Sequence, residues 1–326
     1  MKYYNISMIP SMQRRHLLAL PALFLARPAP AQGRLSVVAS FSILADMARQ
    51  IGGEHITLRA IAGPDVDAHG FQPRPSDAAA LAGADVGIRN GLGFEGWLDR
   101  MIRSSGFRGR LVTTTEGLTP RMMQAHAHQG HDHGGAGRRQ GHSIGPRQIA
   151  DPHAWQDLRH APLYLSNIAD GLCAADPTRE AAYRANMAAY AGRLAQLDQW
   201  VRSEIARVAP ERRKIITSHD AFGYFSAAYG VRFIAPQGIS TEAEPSAAEV
   251  GRLIRQIKAE NISALFMENM TNPAILQRIA REVGISIRGR LYADALSSET
   301  GPAPNYEAMF RHNIGLMVPA MRGDAA

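Results

Sequence analysis

From Leu35 onward, short β-branched apolar runs alternate with stretches of helical spacing. Leu35–Phe41 is an apolar run of strand length. Ile43 to Ile51 places apolar residues on one helical face and halts at Gly52-Gly53. Ile56 to Ile61 predicts a second strand. Ser76-Asp77 can cap an Ala-rich helix over Ala78–Ala82, and Ala84–Arg89 predicts the next strand. Trp97–Arg103 follows as a helix and Arg110–Thr113 as a strand. Alternation of this kind predicts an open, mostly parallel sheet with helices on both faces.

The pattern lapses over residues 120–150, which are rich in Gly, Gln and Arg and hold five of the twelve histidines. A segment without apolar periodicity predicts a loop. From Asp176-Pro177 the helical period returns and persists. Tyr183, Met187, Tyr190, Leu194, Leu197, Val201 and Ile205 recur at three- and four-residue spacings within Thr178–Val208. Asp176 suits an N-cap and Pro177 the first helical position. About thirty helical residues reach roughly 45 Å, more than one small lobe needs, so this helix is expected to run between two lobes. After Pro210 the α/β alternation resumes. Strands are expected at Lys214–Thr217, Val231–Ile234, Ala264–Met267 and Ser286–Leu291, and helices at Ala221–Tyr229, Ser246–Glu260, Pro273–Val283 and Tyr306–Val318. The expected fold is therefore α/β, with two lobes of mostly parallel sheet joined by one long linking helix. Its boundaries are an N-terminal lobe over 32–175 that includes the 120–150 loop, the linking helix over 176–209, and a C-terminal lobe over 210–326.

Composition sharpens this picture. A chain of 326 residues that is 45% apolar can bury two cores. The charge of +7 points less to nucleic acid than it first suggests. Lys2, Arg14, Arg15 and Arg27 supply +4 within the first 31 residues, which leaves +3 for the rest. No Lys/Arg stripe interleaved with aromatics is present. The same 31 residues read as a signal peptide. Arg14-Arg15 precede the apolar run Leu17–Ala26, and Ala29-Pro30-Ala31 offers a cleavage site. The run is too short to span a bilayer, and the paired arginines suit either the Sec or the twin-arginine route. Cys173 is the only cysteine, so no intramolecular disulfide can form, and its apolar neighbours make it a core residue.

Four places at strand ends or in loops carry side chains suited to chemistry. They are His69 within Gly63–Pro75, His153 within Ala150–Trp155, His219 after Thr217-Ser218, and Asp294 after Tyr292-Ala293. Three imidazoles and one carboxylate form a set that a four-coordinate zinc ion accepts. Taken singly, each residue reads equally as a cap or a solvated turn, and spacing alone does not assemble them.

Several ordered motifs resemble those of the metal-binding solute receptors of ABC importers, of the ZnuA and TroA type. They are Asp67-Ala68-His69 with Pro73 and Pro75, Asp151-Pro152-His153-Ala154-Trp155, and Thr217-Ser218-His219-Asp220-Ala221-Phe222-Gly223-Tyr224. Gly238-Ile239-Ser240 leading to Glu244-Pro245-Ser246, and the segment Asp294-Ala295-Leu296, continue the series. The resemblance runs from Val37 to the terminal helix. It departs where Ala68 stands in place of a frequent Pro and Gly70 in place of a bulkier residue. It implies that His69 and His153 come from the N-terminal lobe, that His219 and Asp294 come from the C-terminal lobe, and that the ion sits in the cleft between them. With His219 at the third position nitrogen dominates, which favours Zn2+ over Mn2+. Asp220 is expected to support the local turn or bond a ligand from outside the coordination sphere.

His126, His128, His131, His133 and His142 form a second metal feature, which the resemblance implies is an auxiliary zinc-collecting loop. The expected function is a periplasmic, monomeric zinc receptor that docks on an ABC permease and hands over its ion, with a periplasmic metallochaperone as a further conceivable partner. A manganese receptor of the same type and a zinc chaperone or buffer are the alternatives. A zinc hydrolase would need an open coordination position and a general base. No H-E-x-x-H occurs, and of the nearby acids Glu242 and Glu244, the latter lies in the helix-starting Glu-Pro-Ser motif. The chain is expected not to be an enzyme.

Overall fold

The computed structural model describes residues 33–124, 148–238, 241 and 245–324. The signal-peptide segment, the five histidines of the 120–150 loop, and Glu242 and Glu244 lie outside the described residues. Residues 34–326 form one compact unit.

The first lobe is built from β1 (Leu35–Phe41), α1 (Ser42–Gly52), β2 (Ile56–Ala62), α2 (Pro75–Ala82), β3 (Val86–Arg89), α3 (Leu98–Ser105) and β4 (Arg110–Thr113). Its four strands lie in the order β2-β1-β3-β4 and every pairing is parallel. A parallel sheet covered by helices on both faces buries its central strand on both sides. Six of the seven residues of β1 are accordingly buried. A short antiparallel hairpin follows, β5 (Met122–Gln124) and β6 (Gln148–Ala150), and then α4 (Ala161–Ala175).

The long periodic stretch is α5, Glu180–Ala206. It begins later than the sequence suggests. Pro177–Arg179 form a 3-10 turn, and the Asp176 carboxylate is held by the Thr178 hydroxyl, the Arg179 guanidinium and the Tyr183 hydroxyl. The apolar positions named above face inward, and Met187 is the only one not fully buried.

The second lobe comprises β7 (Lys214–Ile216), α6 (Gly223–Tyr229), β8 (Arg232–Ile234), α7 (Ala247–Glu260), β9 (Leu265–Glu268), α8 (Ala274–Val283), β10 (Ile287–Leu291) and α9 (Tyr306–Arg322). Its sheet order is β10-β9-β7-β8, again all parallel. Ser246 caps α7 in a reciprocal box with Glu249. The terminal helix runs through Pro319 and ends at Gly323, with φ of 81°.

Helix α5 packs on α1 and α4 of the first lobe and on α6 and α9 of the second. One continuous apolar core joins Phe41, Trp155 and Tyr164 of the first lobe, through Tyr190, Leu194 and Val201 of α5, to Phe225 and Phe310 of the second. The two-lobed α/β fold with its bridging helix is thus as expected. The shared core adds that the lobes cannot separate without exposing large apolar surface. No described helix is long and apolar enough to cross a membrane.

Candidate metal centre

Each of the four candidate residues follows a strand. His69 lies in the loop after β2, His153 three residues after β6, His219 three residues after β7, and Asp294 three residues after β10. Loops at the carboxyl ends of parallel strands are where α/β folds place ligands. Asp294, His153 and His219 are wholly buried and His69 is 8% exposed.

The structure brings these four together. Their donor atoms all lie within 4.8 Å of one another. His69 Nε2 stands 3.2 Å from His153 Nε2. Asp294 Oδ2 lies 3.0 Å from His219 Nε2, 3.2 Å from His69 Nε2 and 3.6 Å from His153 Nε2. Tetrahedral bonds of ~2.0–2.1 Å would separate donors by about 3.3–3.4 Å, a value these four distances bracket. Asp294 Oδ1 is buried and has no hydrogen-bond partner. Three imidazole nitrogens and a carboxylate converge on one point out of contact with water, and a cation there would satisfy them all.

Three further carboxylates hold the histidines in place. Asp67 Oδ1 accepts the backbone N–H of His69 at 2.8 Å. Asp151 Oδ1 accepts the backbone N–H of His153 at 3.0 Å and lies 2.9 Å from its Nδ1. Glu268 Oε1 accepts the backbone N–H groups of Ser218 and His219 at 2.9 and 3.1 Å. Its Oε2 stands 2.5 Å from His219 Nδ1, a close charge contact out of line for a hydrogen bond. Carboxylates at Nδ1 keep Nε2 of His153 and His219 turned toward the common point. Asp67 and Asp151 belong to Asp-x-His motifs, whose side chains bond their own backbone two residues on. Glu268, at the end of β9, has no such local signal.

Electrostatics follow from this geometry. Burial opposes charge on His153, but Asp294 and Asp151 outweigh it and push the imidazole up to about 9. His219 goes well above its ordinary value because Glu268 and Asp294 outweigh burial in the same way. His69 has no such partner of its own, and burial draws it down. Burial would raise Asp294, yet the His153 and His219 charges hold it well below the usual carboxylate range.

Aromatic side chains wall the group. Phe94 meets the His69 ring edge-on at 4.5 Å, and Trp155 lies 5.3 Å from the His153 ring. The Trp155 indole N–H and the Gln156 amide both donate to the Ala293 carbonyl, which fixes the Asp294 loop from the opposite lobe. Trp97 donates to the Ala68 carbonyl at 2.8 Å. That bond holds the His69 loop where Pro is absent. Arg121 pairs with Asp151 Oδ2 at 3.2 Å. A side chain at Gly223 would collide with Arg121 and would come within 2.6 Å of Asp151 Oδ2. Asp220 is not among the converging residues; burial and the Asp151 charge push its carboxyl up.

A two-lobed α/β chain with a buried nitrogen-rich pocket between its lobes belongs to the class of metal-binding solute receptors. The family model for the zinc-uptake complex component A, periplasmic, matches residues 37–320, and the chain belongs to that family. It is 30% identical over 300 residues to the manganese-binding lipoprotein MntA of Bacillus subtilis, covering 90% of this chain and 91% of that protein. It is 28% identical over 298 residues to the iron-binding protein YfeA of Yersinia pestis, with 91% and 90% covered. Among solved structures it is similar to the periplasmic zinc-binding protein TroA of Treponema pallidum. The TM-score is 0.77 at 26% identity, over 89% of this chain and 99% of that one. A manganese-bound periplasmic protein of Candidatus Liberibacter asiaticus matches with a TM-score of 0.74 at 26% identity, over 88% of this chain and all of that one. The family is one of divalent-metal receptors for ABC importers, not of enzymes.

Proposed function

We propose that this protein is an exported zinc receptor that binds one Zn2+ through His69, His153, His219 and Asp294 and delivers it to an ABC permease. The observation that carries the reading is the convergence of three Nε2 atoms and Asp294 Oδ2. Two supports bear on the metal. Nitrogen outnumbers oxygen three to one in the set, which suits zinc better than manganese. The donor separations also suit short tetrahedral bonds. Export would use the N-terminal signal by the Sec or twin-arginine route, and the mature chain would act as a periplasmic monomer.

A manganese receptor is the second reading, favoured by MntA and by the manganese-bound structure named above. Competitive titration of the metal-free protein with Zn2+ and Mn2+ decides between them. The zinc reading expects zinc to displace manganese at equal concentration, and the reverse order would overturn it. A periplasmic zinc buffer shares the site but has no permease. Zinc-limited growth of a strain lacking the permease, with and without this chain, separates delivery from buffering.

The histidines at 126, 128, 131, 133 and 142 complete the proposal as auxiliary zinc collectors. Support comes from chain continuity, since the segment between β5 and β6 leads directly into Asp151-Pro152-His153.

A further inference from the structure

The loop that carries His69 is fastened to the opposite lobe at three points. Asp65 donates its backbone N–H to the Leu296 carbonyl at 2.8 Å. The Asn269 amide donates to Asp65 Oδ1 at 2.9 Å and also reaches the Ala295 carbonyl at 3.3 Å. The Thr241 hydroxyl donates to Asp67 Oδ2 at 2.5 Å, while the other oxygen of Asp67 holds the His69 backbone. Leu296 and Ala295 follow Asp294, and Asn269 follows Glu268. Two of the three ties therefore land beside a proposed ligand or the carboxylate that braces one.

Asp65 also sits at φ of 55°, a left-handed conformation that costs a side-chain-bearing residue and that Gly adopts freely. What Gly would lack at this position is the carboxylate that Asn269 bonds. The lobes share one apolar core through α5, which resists wide opening. The polar ties on the exposed side of the pocket are the contacts that can break at low cost.

We propose that Asp65 and Asn269, assisted by Asp67 and Thr241, are positioning residues that hold the His69 loop against the Asp294 loop and so set the rate at which the metal leaves. The inference rests on the metal-site reading above. When the ties break, the His69 loop can lift from Asp294 while His153 and His219 keep their bracing carboxylates. Release then starts by loss of one ligand rather than by separation of the lobes.

The test compares the full-length mature protein with D65G, N269A and T241V, each loaded with Zn2+ and mixed with excess chelator in stopped flow. Release is expected to quicken about tenfold in D65G and N269A, in line with the net worth of about one hydrogen bond, and to a lesser degree in T241V. Cobalt-substituted D65G should keep the wild-type visible spectrum, because no ligand changes. Its melting temperature without metal should not fall, because the strained φ is relieved. A purely structural role for Asp65 would instead alter melting and leave release unchanged. Release rates within about twofold of wild type in both D65G and N269A would overturn the inference. Failure of the wild-type protein to bind Zn2+ or Mn2+ at all would instead overturn the metal-site reading.

Discussion

Glu268 at the end of β9 reaches across to β7 and braces His219 at two points, accepting its backbone N–H at 3.1 Å and facing its Nδ1 at 2.5 Å. Both side chains are fully buried, so the carboxylate has no competing water. Its charge makes the imidazole a stronger donor and fixes which nitrogen faces the pocket. E268Q and E268A should each lower metal affinity by about 10–100-fold, with E268Q the milder because it can still accept the two backbone bonds. Isothermal titration with Zn2+ checks this. Equal affinity in wild type and E268A would show that the contact does not act on the metal.

The proposed ligands should be more sensitive still. H153A and H219A each remove a donor from a pocket that offers no replacement among the described residues. Each should reduce affinity by more than the ~10–100-fold expected of a supporting carboxylate. D294A should do the same and should also leave His153 and His219 without their shared counter-charge. If any of the three retains wild-type affinity, that residue is not a ligand. Circular dichroism on the same samples confirms that the variants are folded.

Which parts of this arrangement were legible in the sequence depends on the range of the interaction. Asp67-x-His69 and Asp151-x-His153 are local, and each carboxylate bonds the backbone two residues away. Glu268 stands 49 residues from His219 and reaches it only because β7 and β9 pair as parallel neighbours. No short pattern encodes that contact. The same holds for Asn269 against Asp65. Among the elements, α4 escapes notice because Pro162 and Gly171 read as breakers, although Tyr164, Leu165, Ile168 and Leu172 keep a helical period. Pro162 sits in the first turn, where it is tolerated. The β5–β6 hairpin is hidden by the low-complexity stretch between its strands.

The protonation of the pocket predicts how affinity varies with pH. Without metal, Asp294 holds protons on His153, up to about 9, and on His219, which lies well above its ordinary value. A divalent cation must displace them. Affinity should therefore rise as pH increases from about 6 toward about 9, with about two protons released per ion near neutrality. Calorimetry in buffers of differing protonation enthalpy measures that release. A signal independent of the buffer would contradict the assignment. Stability of the metal-free protein should run the other way. A raised imidazole contributes stability that is complete below its unfolded value of about 6.5. For His153 that contribution is lost as pH climbs through about 9. The metal-free melting temperature should accordingly fall over that window, and the difference between loaded and metal-free protein should widen.

The histidine-rich segment and the buried pocket should separate cleanly under deletion. The pocket draws on residues 69, 153, 219 and 294, none of them between 126 and 142. Its walls, Phe94 and Trp155, and its bracing carboxylates, Asp67, Asp151 and Glu268, also lie outside that stretch. Removing residues 126–142 should leave one tight metal per chain with unchanged affinity, while the weaker equivalents measured by equilibrium dialysis disappear. The weak sites depend on neutral imidazoles and should fade below about pH 6.5, so intact and deleted proteins should converge in acid. Loss of the tight site on deletion would mean that the segment supplies part of the pocket. The sole auxiliary role proposed for these histidines would then have to be abandoned.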